Sequence, residues 1–309
     1  MATTAIDASV SGSVRPAGGP IRLAAWQGHS LGGDVDTNLA VARRAIALAG
    51  ERGADFLCLP ETFLSGYGSR EVVERGALAL DDPRLGRLAR NAAERNLVLL
   101  VGLAERLADG RIGNTVAIYA HGQRLGSYRK TMLTGSDARE MGFCRDYDLP
   151  VFEAKGVRFG CIICHDSSFV EPAAVLAYQG AQVLFSPHYN AIAVEGMDAH
   201  RIRVRNNHIG LATLLGMYVV RANVIGVSRR GDRGDTLGYG DSAIFDYSGV
   251  PLAEAGLFRE GLIVADADPA AAARSSVSRR DELPERVRRR LAEALLGYTR
   301  ADPRRAPPE

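Results

Sequence analysis

Short apolar runs alternate with amphipathic stretches along the chain, a pattern typical of strands and helices that pack in layers. Ile21–Gln27 predicts a strand, and Val35–Arg52 predicts a helix whose N-cap is Asp36. Asp55–Glu61 and Leu97–Leu103 predict two further strands. The second of these is so uniformly apolar that we expect it to be buried on both faces.

Hairpins are predicted in both halves of the chain. Asn114–Lys130 has a strand pattern on either side of a turn at residues 121–122, and Val151–Ile163 has one on either side of residues 155–156. The second half also predicts helices at 172–179 and 199–215 and strands at 181–187, 217–223 and 261–268. Hairpins among such elements predict a layered α/β fold with mixed sheets, in one continuous domain over residues 21–275.

The two ends of the chain differ from this domain. Residues 1–20 are rich in small residues and predict a flexible leader. Residues 276–309 predict a helical extension and tail, in which Pro284–Gly297 places Val287, Leu291 and Leu295 on one helical stripe. This helix either packs on its own domain or reaches a partner subunit, and the sequence does not decide between the two.

Composition excludes several classes of partner. Apolar residues make up 46% of the chain and the formal net charge is +2 at pH 7, so we expect a globular core and neither nucleic acid nor a membrane as partner. The leader lacks the basic start and apolar core of a secretory signal, which predicts a cytoplasmic protein. Four cysteines in 309 residues do not make a disulfide framework, so we expect reduced thiols.

Three predicted strands end abruptly in residues that can carry chemistry: Glu61 in "LCLPETF", Lys130 in "GSYRKTML" and Cys164 in "GCIICHD". A thiol must lose its proton to attack a carbonyl or nitrile carbon, and a nearby carboxylate can accept that proton. A cation such as Lys130 would stabilise the thiolate and, together with the backbone N–H of His165, the oxyanion formed on attack. The three side chains together predict nucleophilic catalysis through a thioester.

Other interpretations of these residues stay open at this point. Taken singly, Glu61 can cap a turn, Lys130 can lie at the surface and Cys164 can be a small buried apolar residue. Cys161 and Cys164 also form a Cys-x-x-Cys sequence, which suggests a redox or metal site. Against that, both lie in one predicted strand, where positions three apart face opposite ways, and the chain has no second cysteine pair for zinc.

The order and flanks of these motifs resemble those of the nitrilase superfamily of carbon–nitrogen hydrolases. That family has an acidic residue in a "PE…GY" segment, then a lysine in "YRK", then a cysteine in "G…IC.D..F.E". Here the three segments stand as "LPETFLSGY" at 59–67, "SYRKTML" at 127–133 and "GCIICHDSSFVEPA" at 160–174. Three ordered motifs with matching flanks are a specific signal, and the resemblance extends over residues 21–268.

The resemblance implies a four-layer α-β-β-α sandwich in which Glu61 is the general base, Lys130 stabilises the oxyanion and Cys164 is the nucleophile. Many members have a second glutamate between the lysine and the cysteine, and Glu140 is expected to take that place. The family also forms homodimers or larger homo-oligomers. We expect a small-molecule amide or nitrile as substrate, with no cofactor and no metal.

The residues after Cys164 bear on the reaction. Nitrile-hydrolysing members typically have Cys-Trp-Glu, whereas this chain has Cys-His-Asp, which favours hydrolysis of a small amide or carbamoyl compound. Nitrile hydrolysis, or transfer of the acyl group to an amine, is the alternative on the same residues. Asp166 is expected to hold the turn through backbone hydrogen bonds.

Four residues near these motifs are candidate substrate contacts: His165, His188, Tyr189 and Tyr67. They stand next to the predicted nucleophile, just past a strand end, or in the "PE…GY" segment. The chain also departs from the family pattern, because "LATLLG" at 211–216 stands where the family has an "RA..EN" segment.

Overall fold

The structure is a computed structural model that describes residues 19–229, 235–274 and 283–297. Most of the predicted leader and of the predicted tail lies outside the described residues. Within these ranges the helices are α1 (Val35–Glu51), α2 (Arg70–Gly76), α3 (Pro83–Ala93), α4 (Val170–Tyr178), α5 (Met197–Leu215), α6 (Pro269–Arg274) and α7 (Glu285–Leu296). The strands are β1 (Ile21–Gln27), β2 (Phe56–Cys58), β3 (Val98–Arg106), β4 (Ile112–Ala120), β5 (Gln123–Arg129), β6 (Phe143–Cys144), β7 (Phe152–Ala154), β8 (Val157–Cys161), β9 (Val183–Pro187), β10 (Ala191–Ile192), β11 (Tyr218–Ala222), β12 (Ile225–Arg229), β13 (Asp235–Tyr239), β14 (Ala243–Phe245), β15 (Pro251–Glu254) and β16 (Gly261–Ala267).

Two large mixed sheets form the centre of the molecule. The first has the order β16-β1-β2-β3-β4-β5, with β6 paired to β4, and the second has the order β15-β14-β11-β9-β8-β7. In each sheet the central strands are parallel and the outer pairs are antiparallel. A small third sheet, β10-β13-β12, completes the topology among the described residues. The prediction of a mixed-sheet α/β fold is confirmed.

The layers follow from where the apolar residues pack. One buried cluster fills the space between the two large sheets, where the rings of Phe56, Phe159 and Phe185 lie 5.4–5.7 Å apart. A second cluster joins the first sheet to α1 and α3, and a third joins the second sheet to α4 and α5. The order of layers is therefore helix, sheet, sheet, helix, as the resemblance implied. Strand β3 contributes to both the first and the second cluster, so its burial on both faces is also confirmed.

Several local predictions differ from the structure. The N-cap of α1 is Asp34, whose side chain accepts a hydrogen bond from the N–H of Thr37 at 3.1 Å, and the predicted cap Asp36 lies in the first turn of the helix. The predicted strand at 55–61 stops at Cys58, and α2 was not predicted. Helix α2 has only seven residues, which is too short for a clear apolar period, and its start is marked only by the N-cap Ser69.

Helix α7 forms where the sequence predicted it. Its apolar stripe is not covered by the domain: Val287, Leu291 and Leu295 are about half exposed, at 48%, 49% and 57%. The structure therefore does not show α7 packed on its own domain, which was one of the two predicted alternatives. Among the described residues, the helices are too short or too polar to cross a membrane.

Candidate active site

Glu61 lies in a tight turn just after β2. This turn packs closely against β3, where a Cβ on Gly102 would come within 2.2 Å of the Pro60 carbonyl oxygen, so only glycine fits there. The Glu61 side chain is buried and accepts three hydrogen bonds: at Oε1 from Lys130 Nζ (2.8 Å) and Asn114 Nδ2 (2.7 Å), and at Oε2 from the Tyr189 N–H (2.7 Å). A carboxylate held by three donors has a fixed orientation, as a general base requires.

Lys130 is fully buried between two carboxylates. It follows β5, and its Nζ lies 2.8 Å from Glu61 Oε1 and 3.0 Å from Asp137 Oδ2. Burial lowers the pKa of this ammonium, but the negative charges of Glu61 and Asp137 outweigh it, and the pKa of Lys130 lies well above its usual value. The two carboxylates therefore favour the charged form of this buried lysine.

The carboxylate that accompanies Lys130 is Asp137, which the sequence reasoning did not single out. It is fully buried and also accepts hydrogen bonds from the Tyr67 hydroxyl and from the Thr134 N–H (2.8 Å). Burial raises the pKa of Asp137, but Lys130 and these donors lower it further, so the net shift is downward. Glu140, predicted for this place, is half-buried at the end of the same short π-helical turn, Ser136–Glu140.

Cys164 is not at the end of a strand as predicted. Strand β8 stops at Cys161, and Cys164 begins a 3-10 turn, Cys164–Ser168, with a φ of +46°. A non-glycine residue in this left-handed region is strained, and such strain is typical of residues held in place for function. The bend turns Cys164 out of the sheet, where it stays partly accessible, while Cys161 is buried in the core between the sheets.

Asp166 fixes this bend, as expected. Its carboxylate accepts hydrogen bonds from the N–H of Ile163 and of Met132 and from the Tyr128 hydroxyl, each at 2.7 Å. Met132 and Tyr128 flank Lys130 in sequence, so one buried carboxylate ties the cysteine turn to the lysine segment. Asp166 is therefore a structural residue that sets the relation between two of the predicted catalytic side chains.

We expect Asp166→Asn to destabilise the fold by about 1–3 kcal/mol, because an amide group cannot accept from both backbone N–H donors. Burial raises the pKa of Asp166 to about 6 from 3.8, so the carboxyl group favours folding below pH 4 and this contribution is lost as pH rises through 6. The variant lacks this titration. Urea unfolding from pH 4 to 7 should therefore show that the difference in the free energy of unfolding between wild type and variant becomes smaller as pH rises. A constant difference would contradict this role of Asp166.

The surroundings of Cys164 favour the protonated form of its thiol. Burial and the negative charge of Glu61 raise the pKa of Cys164 above its usual range, whereas Lys130 and a hydrogen bond from the Tyr189 N–H lower it. The same N–H donates to Glu61 Oε2, so it links the base and the sulfur. The arrangement therefore suits transfer of the thiol proton to Glu61 at the moment of attack rather than a thiolate formed beforehand.

Three of the four candidate substrate contacts lie around this cluster. The rings of Tyr67 and Tyr189 stack 5.0 Å apart, and the Tyr67 hydroxyl donates to Asp137. The half-buried His165 ring packs edge-on against Phe169 at 5.4 Å, and burial lowers its pKa. Tyr67 and Tyr189 thus connect directly to the charged cluster, while the contact given for the His165 ring is with Phe169.

The ring of His188, the fourth candidate, lies in the protein interior. Its ring is fully buried on the helix side of the second sheet, where Nε2 lies 3.0 Å from Ser186 Oγ and 3.1 Å from His208 Nε2 in α5. Its carbonyl oxygen accepts from the Glu61 N–H at 3.3 Å. Burial lowers the pKa of His188 well below its usual value, and its ring and carbonyl oxygen connect the chain beside Glu61 to Ser186 and α5.

Sequence reasoning missed three buried polar residues of the site: Asn114, Asp137 and Asn190. Asn114 could have been found, since a polar residue inside the apolar strand β4 calls for a buried partner. Asp137 stands in a single π-helical turn and Asn190 in a loop, and both are too short for a periodic pattern to distinguish a buried side chain from an exposed one. Among the described residues, no group of three or more His, Cys, Asp or Glu side chains could hold a metal ion.

Comparison with known proteins agrees with this geometry. The family model described as carbon–nitrogen hydrolase matches residues 22–275. The "Hydrolase in pqqF 5'region" of Pseudomonas protegens is 37% identical over 218 residues, which cover 70% of this chain and 72% of the relative. The N-carbamoylputrescine amidase of Solanum tuberosum is 31% identical over 251 residues, which cover 76% of this chain and 82% of the relative.

A solved structure bears on the chemistry of the cysteine. A variant of the amidase from Nesterenkonia sp. AN1 carries the acetamide moiety of fluoroacetamide on its active-site cysteine. It is 28% identical to this chain, with a TM-score of 0.67 over 88% of this chain and 98% of the other. The chain described here therefore belongs to the carbon–nitrogen hydrolase family, which confirms the family and the enzyme class predicted from its motifs.

Proposed function

We propose that this enzyme hydrolyses a small amide or carbamoyl compound, with Cys164 as nucleophile, Glu61 as general base and acid, and Lys130 as the stabiliser of the oxyanion. The observation that carries the proposal is the buried Glu61–Lys130–Asp137 cluster, which the Tyr189 N–H links to the sulfur of Cys164. Burying two carboxylates and a cation lowers the stability of the fold, and a site with only a structural role rarely contains such a group. The cluster therefore supports a catalytic role.

In the first half of the reaction, Sγ of Cys164 bonds to the carbonyl carbon while the thiol proton moves to Glu61. The carbonyl oxygen becomes an oxyanion, which Lys130 Nζ and the N–H of His165 stabilise. This N–H lies in the first turn of the helical bend at Cys164, where backbone donors have no partner within the helix. The carbon–nitrogen bond then breaks, Glu61 gives its proton to the departing nitrogen, and a thioester remains.

In the second half, water attacks the thioester carbon and gives a proton to Glu61. The carbon–sulfur bond breaks, the acid leaves, and the proton returns to the sulfur of Cys164. The overall products are a carboxylic acid and ammonia or an amine. Where the substrate is an N-carbamoyl amine, the amine leaves first, and water then releases carbamic acid, which breaks down to carbon dioxide and ammonia. Glu61 accepts and returns one proton in each half, which matches its fixed position between the lysine and the sulfur.

Three features support an amide or carbamoyl substrate over a nitrile. Cys164 is followed by His165 and Asp166 rather than by Trp-Glu. One relative is named N-carbamoylputrescine amidase, and one structural neighbour is an amidase. Nitrile hydrolysis and transfer of the acyl group to an amine are the alternatives, since both begin with the same attack by sulfur.

The test is a matched panel of substrates with one side chain: the primary amide, the N-carbamoyl amine and the nitrile. We expect ammonia release from the amide or the carbamoyl compound at a kcat/KM at least about 10-fold above that for the nitrile, equivalent to a difference of about 1.4 kcal/mol in barrier. The same reactions with added hydroxylamine report acyl transfer as hydroxamate. A preference for the nitrile, or hydroxamate formed faster than acid, would replace the proposal with the corresponding alternative.

We also propose Asp137, in place of Glu140, as the second acidic residue of the site. Asp137→Asn should lower kcat/KM about 10- to 100-fold, because Lys130 loses one of its two counter-charges and its ammonium is no longer held at 3.0 Å. Glu140→Gln is the matched control and should stay within about 3-fold of wild type. A larger loss in Glu140→Gln than in Asp137→Asn would restore the sequence-based assignment.

A homodimer or larger homo-oligomer and a cytoplasmic location are part of the same proposal. The exposed stripe of α7 is consistent with a protein that associates with copies of itself. Sedimentation equilibrium of the purified chain tests this part, with a mass of at least twice 33.1 kDa expected.

A further inference from the structure

Asn190 is a buried polar residue that the mechanism above does not use. It follows β9 directly after the segment that holds Glu61, and it is 5% exposed. Its Nδ2 lies 3.4 Å from Sγ of Cys164, within hydrogen-bond range for sulfur. The amide side chain of Asn190 thus lies against the sulfur of Cys164. Whether it donates a hydrogen bond to that sulfur depends on which end of the amide, the NH2 group or the oxygen, faces it.

The surroundings of Asn190 settle that orientation. Its Oδ1 accepts from Arg221 Nη2 at 3.0 Å and from the Tyr239 hydroxyl at 3.3 Å. Because a guanidinium can only donate, the oxygen of the amide must face Arg221, and the NH2 group must face the sulfur. The backbone N–H of Asn190 also donates to Asn223 Oδ1 at 2.9 Å, which fixes the main chain.

Arg221 gives this arrangement rigidity and charge. It is 1% exposed, next to the last residue of β11, and its Nη1 donates to Asp241 Oδ2 at 3.1 Å. A buried arginine held by a carboxylate on one side cannot turn away from Asn190 on the other. Its positive charge polarises the amide toward the sulfur, because hydrogen bonds in a chain strengthen one another at low dielectric.

We propose that Asn190 is a further catalytic residue, which donates a hydrogen bond to the sulfur of Cys164 and is held in that orientation by Arg221. The inference rests on the proposed role of Cys164 as nucleophile. Negative charge develops on the sulfur as its proton moves to Glu61, and a donor already aimed at the sulfur stabilises that charge. The donor matters most in this site, because burial and Glu61 both oppose ionisation of the thiol.

The test measures how fast iodoacetamide alkylates Cys164 between pH 6 and 9, which requires no turnover of substrate. All proteins carry Cys144→Ser, because Cys144 is the other partly accessible cysteine, and Cys164→Ala in this background gives the blank. We expect Asn190→Ala and Asn190→Leu each to slow alkylation about 10-fold at every pH, since a hydrogen bond to a charged group is lost. The alanine variant also opens space at the sulfur, so a residue that only filled space would give faster alkylation.

Tyr239→Phe is the matched control. It removes a hydroxyl from the same network but leaves Arg221 to orient the amide, so its alkylation rate should stay within about 3-fold of the background protein. Unchanged or faster alkylation in either folded Asn190 variant overturns the inference. If the wild type alkylates at Cys164 but hydrolyses neither amides nor nitriles, the proposed function fails while the comparison of Asn190 variants still decides this point.

Discussion

Cys164→Ala is expected to lower kcat/KM for the preferred amide by at least about 10⁴-fold while leaving the fold intact, because no other group can form the thioester. The substitution removes one partly exposed sulfur atom, and the hydrogen bonds that Asp166 makes to hold the turn stay in place. Ammonia release and thermal unfolding, measured on the same preparation, check the two parts of the expectation.

Cys161→Ser is the matched control for that result. Cys161 is fully buried between the sheets, so a hydroxyl group there should lower stability by about 1–3 kcal/mol and leave kcat/KM within about 3-fold of wild type. Such an outcome also removes the redox interpretation of the Cys-x-x-Cys sequence. Turnover that survives in Cys164→Ala, or is lost in a folded Cys161→Ser protein, would contradict the assignment of the nucleophile.

Lys130→Met should have the largest effect on stability. The residue is fully buried between Glu61 and Asp137, so its removal leaves two uncompensated carboxylates in the interior, at a cost of about 3–5 kcal/mol at pH 7. It should also lower kcat/KM by at least about 10³-fold, because the oxyanion loses its charged partner. Urea unfolding and initial rates measure the two losses.

The contribution of the Glu61–Lys130–Asp137 cluster to stability should change with pH in opposite directions in Lys130→Met and in wild type. In wild type the pKa of Asp137 is lowered, so this carboxylate stabilises the fold above its unfolded pKa and the contribution is lost as pH falls through the folded value. In the variant, two facing carboxylates share a proton and one pKa rises. The protonated carboxyl group then stabilises the fold below about pH 4, and this contribution is lost as pH rises. The difference in the free energy of unfolding between wild type and variant therefore grows from acid to neutral pH.

The sequence offers a direct control, because the chain contains only two lysines, Lys130 and Lys155. Lys155 also pairs with an aspartate, Asp55, at 3.2 Å, but its side chain is 15% exposed and lies at the β7–β8 turn. Lys155→Met should cost about 1 kcal/mol or less and leave the rate within about 2-fold of wild type. Equal losses for the two lysines would mean that Lys130 has no special role.

The layered fold was predictable because its signals are local. The uniformly apolar run of β3, the amphipathic face of α1 and the turns at 121–122 and 155–156 each specify an element from a few neighbouring residues, and the structure confirms all of them. Chain residues His121 and Lys155 adopt positive φ at those turns, as tight hairpins require. Elements that depend on a single cap, such as α2, have no such signal.

The site was predictable in its motifs but not in its packing. Glu61, Lys130 and Cys164 were found by their positions at the ends of apolar runs, and the structure brings them into one buried cluster. The choice between Asp137 and Glu140 depends on how the Ser136–Glu140 turn is wound, because both stand within one turn of a helix. Sequence spacing does not determine which of two such carboxylates points inward.

The side-chain contacts of the loop after β9 could not be predicted from the sequence for a related reason. His188 meets His208 from α5, and Asn190 meets Arg221 from β11, pairs that are 20 and 31 residues apart. Each contact exists only because the second sheet and α5 pack as they do. A histidine or an asparagine past a strand end is equally compatible with solvent, substrate or core.

The role of Cys164 as nucleophile is tested most directly by intact-mass spectrometry of protein quenched in acid during turnover of the preferred amide. We expect a covalent acyl adduct with the mass of the substrate less ammonia or amine, located on Cys164 by peptide mapping and absent from Cys164→Ala. An adduct on Cys58, Cys144 or Cys161, or turnover of the amide by the Cys164→Ala protein, would contradict that role.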